Sequence, residues 1–138
     1  MRKTLLLLAA AALGAGLVAT TAAAKPAHGT ALKIVHVQSG CHTWSTAKLQ
    51  PPTMKMSLRR GGQLDIHNQD VDGHRIVQTA GPKARITQAT MMTNSRAHIM
   101  FSKPGVYRFK TKLVEMEGMP EIETKGPDHD LALTVTVT

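Results

Sequence analysis

The 138-residue sequence has one cysteine, Cys41, and only four aromatic residues. A single cysteine excludes an internal disulfide and any metal site that needs several thiolates. Because aromatic residues make up 3% of the chain, a folded core has to consist mainly of aliphatic side chains. Ser45 and Ser95 lack an accompanying pattern of His and Asp, so nucleophilic catalysis is not indicated. We therefore expect a small protein that is not an enzyme.

Basic residues outnumber acidic ones by 17 to 9, which gives a formal net charge of +8. Two of these cations, Arg2-Lys3, precede an apolar stretch over residues 5–18, and three alanines at 22–24 follow it. That order is typical of a secretory signal peptide, and the apolar stretch is shorter than the roughly 18 residues of a membrane span. We predict a signal peptide over 1–24, a tether over 25–30 and one domain over 31–138, which is secreted or periplasmic without stable membrane insertion.

The rest of the chain alternates apolar and polar residues in short segments that are separated by Gly and Pro turn signals. Such alternation predicts half-buried β-strands, as in residues 54–58 and 131–137. No helical period of convincing length is present. We predict an all-β sandwich of seven to eight strands, with residues 41–44 in a loop and no clear pattern over 83–95.

Three segments carry a resemblance to a known family. The first runs from Gly61 through Asn68-Gln69-Asp70 to His74. The second is the stretch Phe-Ser-Lys-Pro-Gly-Val-Tyr-Arg-Phe at 101–109, and the third is Gly118-Met119 before a terminal valine-threonine strand. In this order they resemble the cupredoxins, the small copper-binding β-sandwiches of the plastocyanin type. The resemblance implies a cupredoxin-like Greek-key sandwich with one copper ion as cofactor.

The ligand positions of that family are only partly kept. The resemblance places His74 at the first histidine ligand and Met119 at the methionine ligand. Thr111 and Val114 stand where plastocyanin-like members have the cysteine and the second histidine. The resemblance therefore implies a divergent ligand set.

The missing ligands have candidates elsewhere in the chain. In the cupredoxin fold the first and third strands run parallel and end at one pole, so the segment with Cys41 and His42 is expected beside His74. Adjacent residues of an extended chain point to opposite faces, so both can bind one ion only if the chain is kinked there. Thiolate, imidazole, carboxylate and thioether donors suit copper, and zinc is an alternative ion. The candidate metal ligands are His74, Cys41, His42, Glu115 and Met119, with Met116 as a further alternative, whereas His36, His67, His98 and His129 are expected to face outward.

These features predict an exported copper-binding protein that transfers single electrons through a mononuclear copper. A copper carrier or buffer, and a cupredoxin-like binding module without metal, remain alternatives. The expected partner is a redox protein or a copper-handling protein. No long run of arginines and lysines with interleaved aromatic residues is present, which argues against nucleic acid. We expect a monomer.

Overall fold

A computed structural model of the protein describes residues 29–38, 41–114 and 130–138. These ranges contain ten β-strands and no helix, and therefore none that could cross a membrane. The strands are β1 (Thr30–Gln38), β2 (Cys41–Ser45), β3 (Thr53–Leu58), β4 (Gln63–Asn68), β5 (Gly73–Ala80), β6 (Arg85–Thr87), β7 (Thr90–Met91), β8 (Arg96–Met100), β9 (Gly105–Val114) and β10 (Ala132–Val137).

The strands form two five-stranded sheets around one core. The first sheet has the order β2-β1-β4-β8-β6, and the second has the order β3-β10-β9-β5-β7. Along β4 and β10, buried side chains alternate with partly exposed ones, so each sheet turns an apolar face inward. Apart from the four aromatic side chains, the buried hydrophobic residues are aliphatic or methionine. The mainly aliphatic core follows directly from the scarcity of aromatic residues.

The predicted all-β sandwich is confirmed, with ten strands in place of seven to eight. One added strand is β2, where we expected a loop, and two more are the short β6 and β7 within the stretch that showed no clear pattern. β2 forms because it pairs antiparallel with β1 as the edge strand of the first sheet. Trp44 on β2 is fully buried and donates a hydrogen bond from Nε1 to the Ala132 carbonyl at 3.0 Å.

The pairing that matters most for the site is between β1 and β4. They run parallel, with Leu32 opposite Ile66 and Ile34 opposite Asn68. The register continues past the strands, because the Gln69 amide donates to the Ile34 carbonyl at 2.8 Å. Both chains therefore leave the first sheet at the same end of the sandwich, as expected for the first and third predicted strands.

Candidate metal centre

Three histidines from three strands converge on one carboxylate at this end of the sandwich. His36 lies on β1, His42 on β2 and His74 at the start of β5, while Asp70 lies in the loop between β4 and β5. His42, Asp70 and His74 are buried, and the side chain of His36 is 35% exposed. The cluster therefore has a buried centre and one edge that is open to solvent.

Asp70 is the common partner of the three imidazoles. Its Oδ2 accepts hydrogen bonds from His42 Nδ1 and from His74 Nε2, the latter at 2.9 Å. His36 Nδ1 lies 3.4 Å from the other carboxylate oxygen, Oδ1. The ring of His42 stands between the other two, edge-on to each, with ring centroids 5.0 Å from His74 and 5.8 Å from His36. One ligand atom from each of His36, His42 and Asp70 lies within 4.8 Å of the others.

The alternation of side chains along each strand explains this convergence. His36 follows the buried Ile34 by two residues, so both lie on the same face of β1, with His36 at its exposed end. In the same way His42 precedes the buried Trp44 by two residues on β2, and the pair His36–His42 is directly opposite in the β1–β2 ladder. Polar side chains thus continue the inward-facing apolar rows at one end of the sandwich.

Asn68 holds the loop that carries Asp70. Its side-chain amide is buried and donates to the carbonyls of Asp72, at 2.7 Å, and Met91, at 3.1 Å. Its Oδ1 accepts from the Asp70 amide at 3.1 Å. Asp70 Oδ1 in turn accepts from the Val71 amide at 2.6 Å. The carboxylate is therefore held by backbone and side-chain hydrogen bonds in addition to its contacts with the imidazoles.

The electrostatics of the cluster favour an ionised Asp70. Burial raises the pKa of this carboxyl, but hydrogen bonds from His42 and His74, together with the positive charge that these rings can carry, lower it by more. The net effect places the pKa of Asp70 far below its usual range. A buried anion with imidazole partners is a favourable environment for a cation.

Two ring nitrogens of the cluster have no hydrogen-bond partner among the residues that the structure describes. They are His42 Nε2 and His74 Nδ1, and both are buried. The nearest carboxylate oxygen to His42 Nε2 is Asp72 Oδ2 at 3.7 Å. Because a buried polar atom without a partner is costly, a bound ion would offset this cost for the two nitrogens.

The structure brings together two of the predicted ligands, His74 and His42. Cys41 opens β2 and is half-buried, but it is outside the three-residue group whose ligand atoms lie within 4.8 Å of one another. Glu115, Met119 and the alternative Met116 lie outside the described residues. Val114, which precedes Glu115 in the chain, is the strand partner of Gly73, next to His74. Coordination by each of these residues stays a prediction.

Sequence reasoning missed two members of the cluster. We expected His36 to face outward, and it is exposed, but its Nδ1 also lies 3.4 Å from Asp70 Oδ1. Asp70 was part of the family-like motif but was not proposed as a functional residue. The two-residue period of β-strands could have identified both residues. His36 continues the row of Leu32 and Ile34, and Asp70 continues the row of Ile66 and Asn68, both of which are buried.

Comparisons with known proteins give similarities of fold. No protein-family model and no curated protein match the chain. Among solved structures, a purple cupredoxin from Nitrosopumilus maritimus is 14% identical with a TM-score of 0.45, over 79% of this chain and 99% of that one. Amicyanin from Paracoccus versutus is 15% identical with a TM-score of 0.44, over 84% and 87%. A cysteine protease inhibitor from Entamoeba histolytica is 12% identical with a TM-score of 0.39, over 61% and 84%.

None of these matches identifies a ligand or an activity. The cupredoxins among them are similar to this chain in fold, in keeping with the family resemblance of its sequence motifs. The chain is a two-sheet β-sandwich by its strand pairing, and its candidate metal centre has to be judged on its own residues.

Proposed function

We propose that the protein is exported and binds one copper ion at the pole formed by His36, His42, Asp70 and His74, and that it transfers single electrons. One observation carries the proposal. Three imidazoles from three separate strands share one buried carboxylate, and two of their buried ring nitrogens lack partners among the described residues. Such a set of nitrogen and oxygen donors is typical of a metal centre rather than of an apolar core.

The donor chemistry fits copper best. Imidazole and carboxylate donors bind several divalent metals, and affinity for a given site rises along the first-row series to copper before it falls at zinc. The free nitrogens His42 Nε2 and His74 Nδ1 gain a partner when an ion binds. Asp70 supplies negative charge, because its pKa is far below the usual range. Zinc is the competing ion, since a histidine and carboxylate set also suits it.

The placement of the ligands supports electron transfer. A bound copper ion supplies a single electron by cycling between its two oxidation states. His36, His42 and His74 belong to hydrogen-bonded strands of the two sheets, and the last two are buried. Side chains that are held in this way move little when the charge of the ion changes. A small rearrangement of ligands lowers the barrier to moving one electron.

A copper carrier is the second candidate, and a specific observation favours it. The compact group of His36, His42 and Asp70 offers only nitrogen and oxygen donors, without a thiolate. His36 is at the same time partly exposed, so one ligand is accessible from solvent. An exposed ligand permits exchange of the ion with another protein. The two roles differ in whether the bound copper undergoes reversible reduction.

Titration of the purified protein with Cu(II) and with Zn(II) tests the proposal. We expect one Cu(II) per chain, bound more tightly than Zn(II), and a loss of about 100-fold or more in affinity in His42→Ala and His74→Ala. His67→Ala is the matched control, because His67 lies on β4 outside the cluster. A reversible one-electron wave in voltammetry supports electron transfer, and tight binding without one supports a carrier. No binding, or equal losses in all three variants, contradicts a metal centre at this pole.

A further inference from the structure

The outer face of the second sheet is positively charged. The five strands of this sheet contain five lysines and arginines and no aspartate or glutamate. All five cations are exposed, whereas the residues that alternate with them along β9 are buried or half-buried. We define this cationic face by Lys55, Arg75, Arg108, Lys110 and Lys112.

Strand register places these side chains close to one another. Arg75 on β5 is directly opposite Lys112 on β9, and side chains at such positions are about 5 Å apart at Cβ. Arg108 pairs with Thr134, which pairs on its other side with Lys55. The cations of three strands thus cover one continuous surface, with Arg75 next to the candidate ligand His74 in the chain.

The charges of this face are mostly not neutralised within the part of the chain that the structure describes. Only Lys110 lies near a carboxylate there, with Nζ 3.9 Å from Asp130 Oδ2. The directly opposed Arg75 and Lys112 repel each other and therefore destabilise the sheet. The first sheet differs, because its cations share their surface with Asp65, which is hydrogen-bonded to His98.

We infer that this cationic face is a docking surface for the acidic face of a partner protein. Charge complementarity is the argument, since five exposed cations on a flat sheet attract a surface rich in carboxylates and accelerate association with it. A protein fits better than nucleic acid, because the aromatic residues Tyr107 and Phe109 of β9 face the core and leave no exposed ring for base stacking. It also fits better than a membrane, because Val106 is the only large hydrophobic residue exposed on the five strands of this sheet, and membrane binding needs several aromatic or aliphatic anchors among the cations.

Docking of a partner on the cationic face does not require a bound metal ion. β5 carries Arg75 on its outer side and His74 on its inner side, so a partner on this face would lie against the same strands that support the candidate metal centre. The inference does not require that copper is bound. Its test therefore uses the protein without added metal and can fail or succeed separately from the copper titration.

Binding of fluorescently labelled poly-L-glutamate, measured by anisotropy at low and physiological ionic strength, tests the inference. The double variant Arg75→Gln/Arg108→Gln is expected to bind the polymer about five- to tenfold more weakly, because it loses two exposed ion pairs with the glutamate side chains. Arg85→Gln/Arg96→Gln removes the same charge from exposed positions on the first sheet and is expected to change affinity by less than about twofold. Arg75→Gln alone should also raise thermal stability, because it relieves the repulsion from Lys112.

Three results would overturn the inference. Equal losses in the two double variants would mean that net charge alone attracts the polymer. Tighter binding of a single-stranded DNA oligonucleotide, abolished by the Arg75/Arg108 substitutions, would assign the face to nucleic acid. Tighter binding of vesicles of phosphatidylglycerol and phosphatidylcholine would assign it to a membrane. If circular dichroism shows that Arg75→Gln/Arg108→Gln does not fold, the test uses Lys110→Gln/Lys112→Gln in its place, which removes two other cations of the same face.

Discussion

Asp70 Oδ2 lies 2.9 Å from His74 Nε2, although Asp70 belongs to a loop that leaves the first sheet and His74 to a strand of the second. The bond orients the imidazole, and the opposite ring nitrogen, Nδ1, is buried without a partner among the described residues. A carboxylate that orients a histidine in this way is the usual second partner of a metal-bound imidazole. The centre of the site is therefore an anion that positions several rings.

Replacement of Asp70 by asparagine tests this role. The amide keeps the size of the side chain but loses the charge and half of the acceptor capacity, so His42 and His74 lose a shared partner. We expect Asp70→Asn to weaken Cu(II) binding by about 10- to 100-fold in calorimetric titration. Asp65→Asn, at a carboxylate on another part of the first sheet, is the control and should leave the affinity unchanged. Unchanged affinity in Asp70→Asn would remove Asp70 from the metal centre.

Copper should stabilise the folded protein, because the ligands come together only when β1, β2 and β5 are in place. An ion that binds only the native state at 100 times its Kd adds about 2.7 kcal/mol to the free energy of unfolding. For a domain of this size, that corresponds to a rise in Tm of about 10–15 °C. The measurement is a thermal melt followed by circular dichroism with and without Cu(II). The rise should vanish in His42→Ala, and a rise of equal size in that variant would place the ion elsewhere.

Two variants test whether Cys41 provides a sulfur ligand to the bound ion. If Cys41 supplies a thiolate to the ion, Cys41→Ser abolishes the intense visible band that thiolate-to-copper charge transfer produces, because no other cysteine is present. Thr111 occupies the position of the family's cysteine, but it is buried, and its Oγ1 accepts a hydrogen bond from the Leu131 amide. Thr111→Ala should therefore lower stability by about 1 kcal/mol and leave the spectrum unchanged. A wild-type spectrum in Cys41→Ser would show that the thiol is not a ligand.

Asn68→Ala should damage both the fold and the site. The substitution removes two donated hydrogen bonds and one accepted bond from a buried position. We expect a loss of about 2–4 kcal/mol in the free energy of unfolding by urea denaturation, together with weaker copper binding because the Asp70 loop is no longer held. The exposed neighbour Gln69 provides the control, since Gln69→Ala leaves its backbone bond to Ile34 intact. An equal effect of both substitutions would contradict the role of Asn68.

Stability in acid should depend on Asp65. Burial raises the pKa of this carboxyl, but hydrogen bonds from Gln63 and His98 and the positive charges of His98 and Arg96 lower it below the ordinary value. A lowered pKa in the folded state means that Asp65 contributes stability above the unfolded pKa of about 3.9 and loses this contribution as the pH falls below it.

Urea denaturation between neutral pH and about pH 3 checks this sign. The wild-type protein should lose more stability over that range than Asp65→Asn does. Asp130→Asn changes a carboxylate that is 60% exposed and should follow the wild-type curve. A parallel loss in Asp65→Asn and wild type would contradict the prediction.

The amino-acid sequence by itself determined the class of fold. Alternation of apolar and polar residues, as in residues 132–137, produces strands with one buried face. The scarcity of aromatic residues made the core mainly aliphatic, and the resemblance of the motifs to cupredoxins implied the parallel pair that became β1 and β4. The same resemblance implied that the segment with His42 lies near His74, and their ring centroids are 5.0 Å apart.

Only the tertiary structure decided which side chains meet. The β1–β4 register sets Ile34 opposite Asn68 and so brings His36 to Asp70, 34 positions away in the chain. A one-residue slip of a strand would turn every inward side chain outward, and no local pattern near His36 fixes that register. β2 likewise depends on pairing with β1, with a bulge between His36 and Gln38. Local alternation decides which face of a strand is apolar, whereas pairing between distant strands decides which polar groups complete the site.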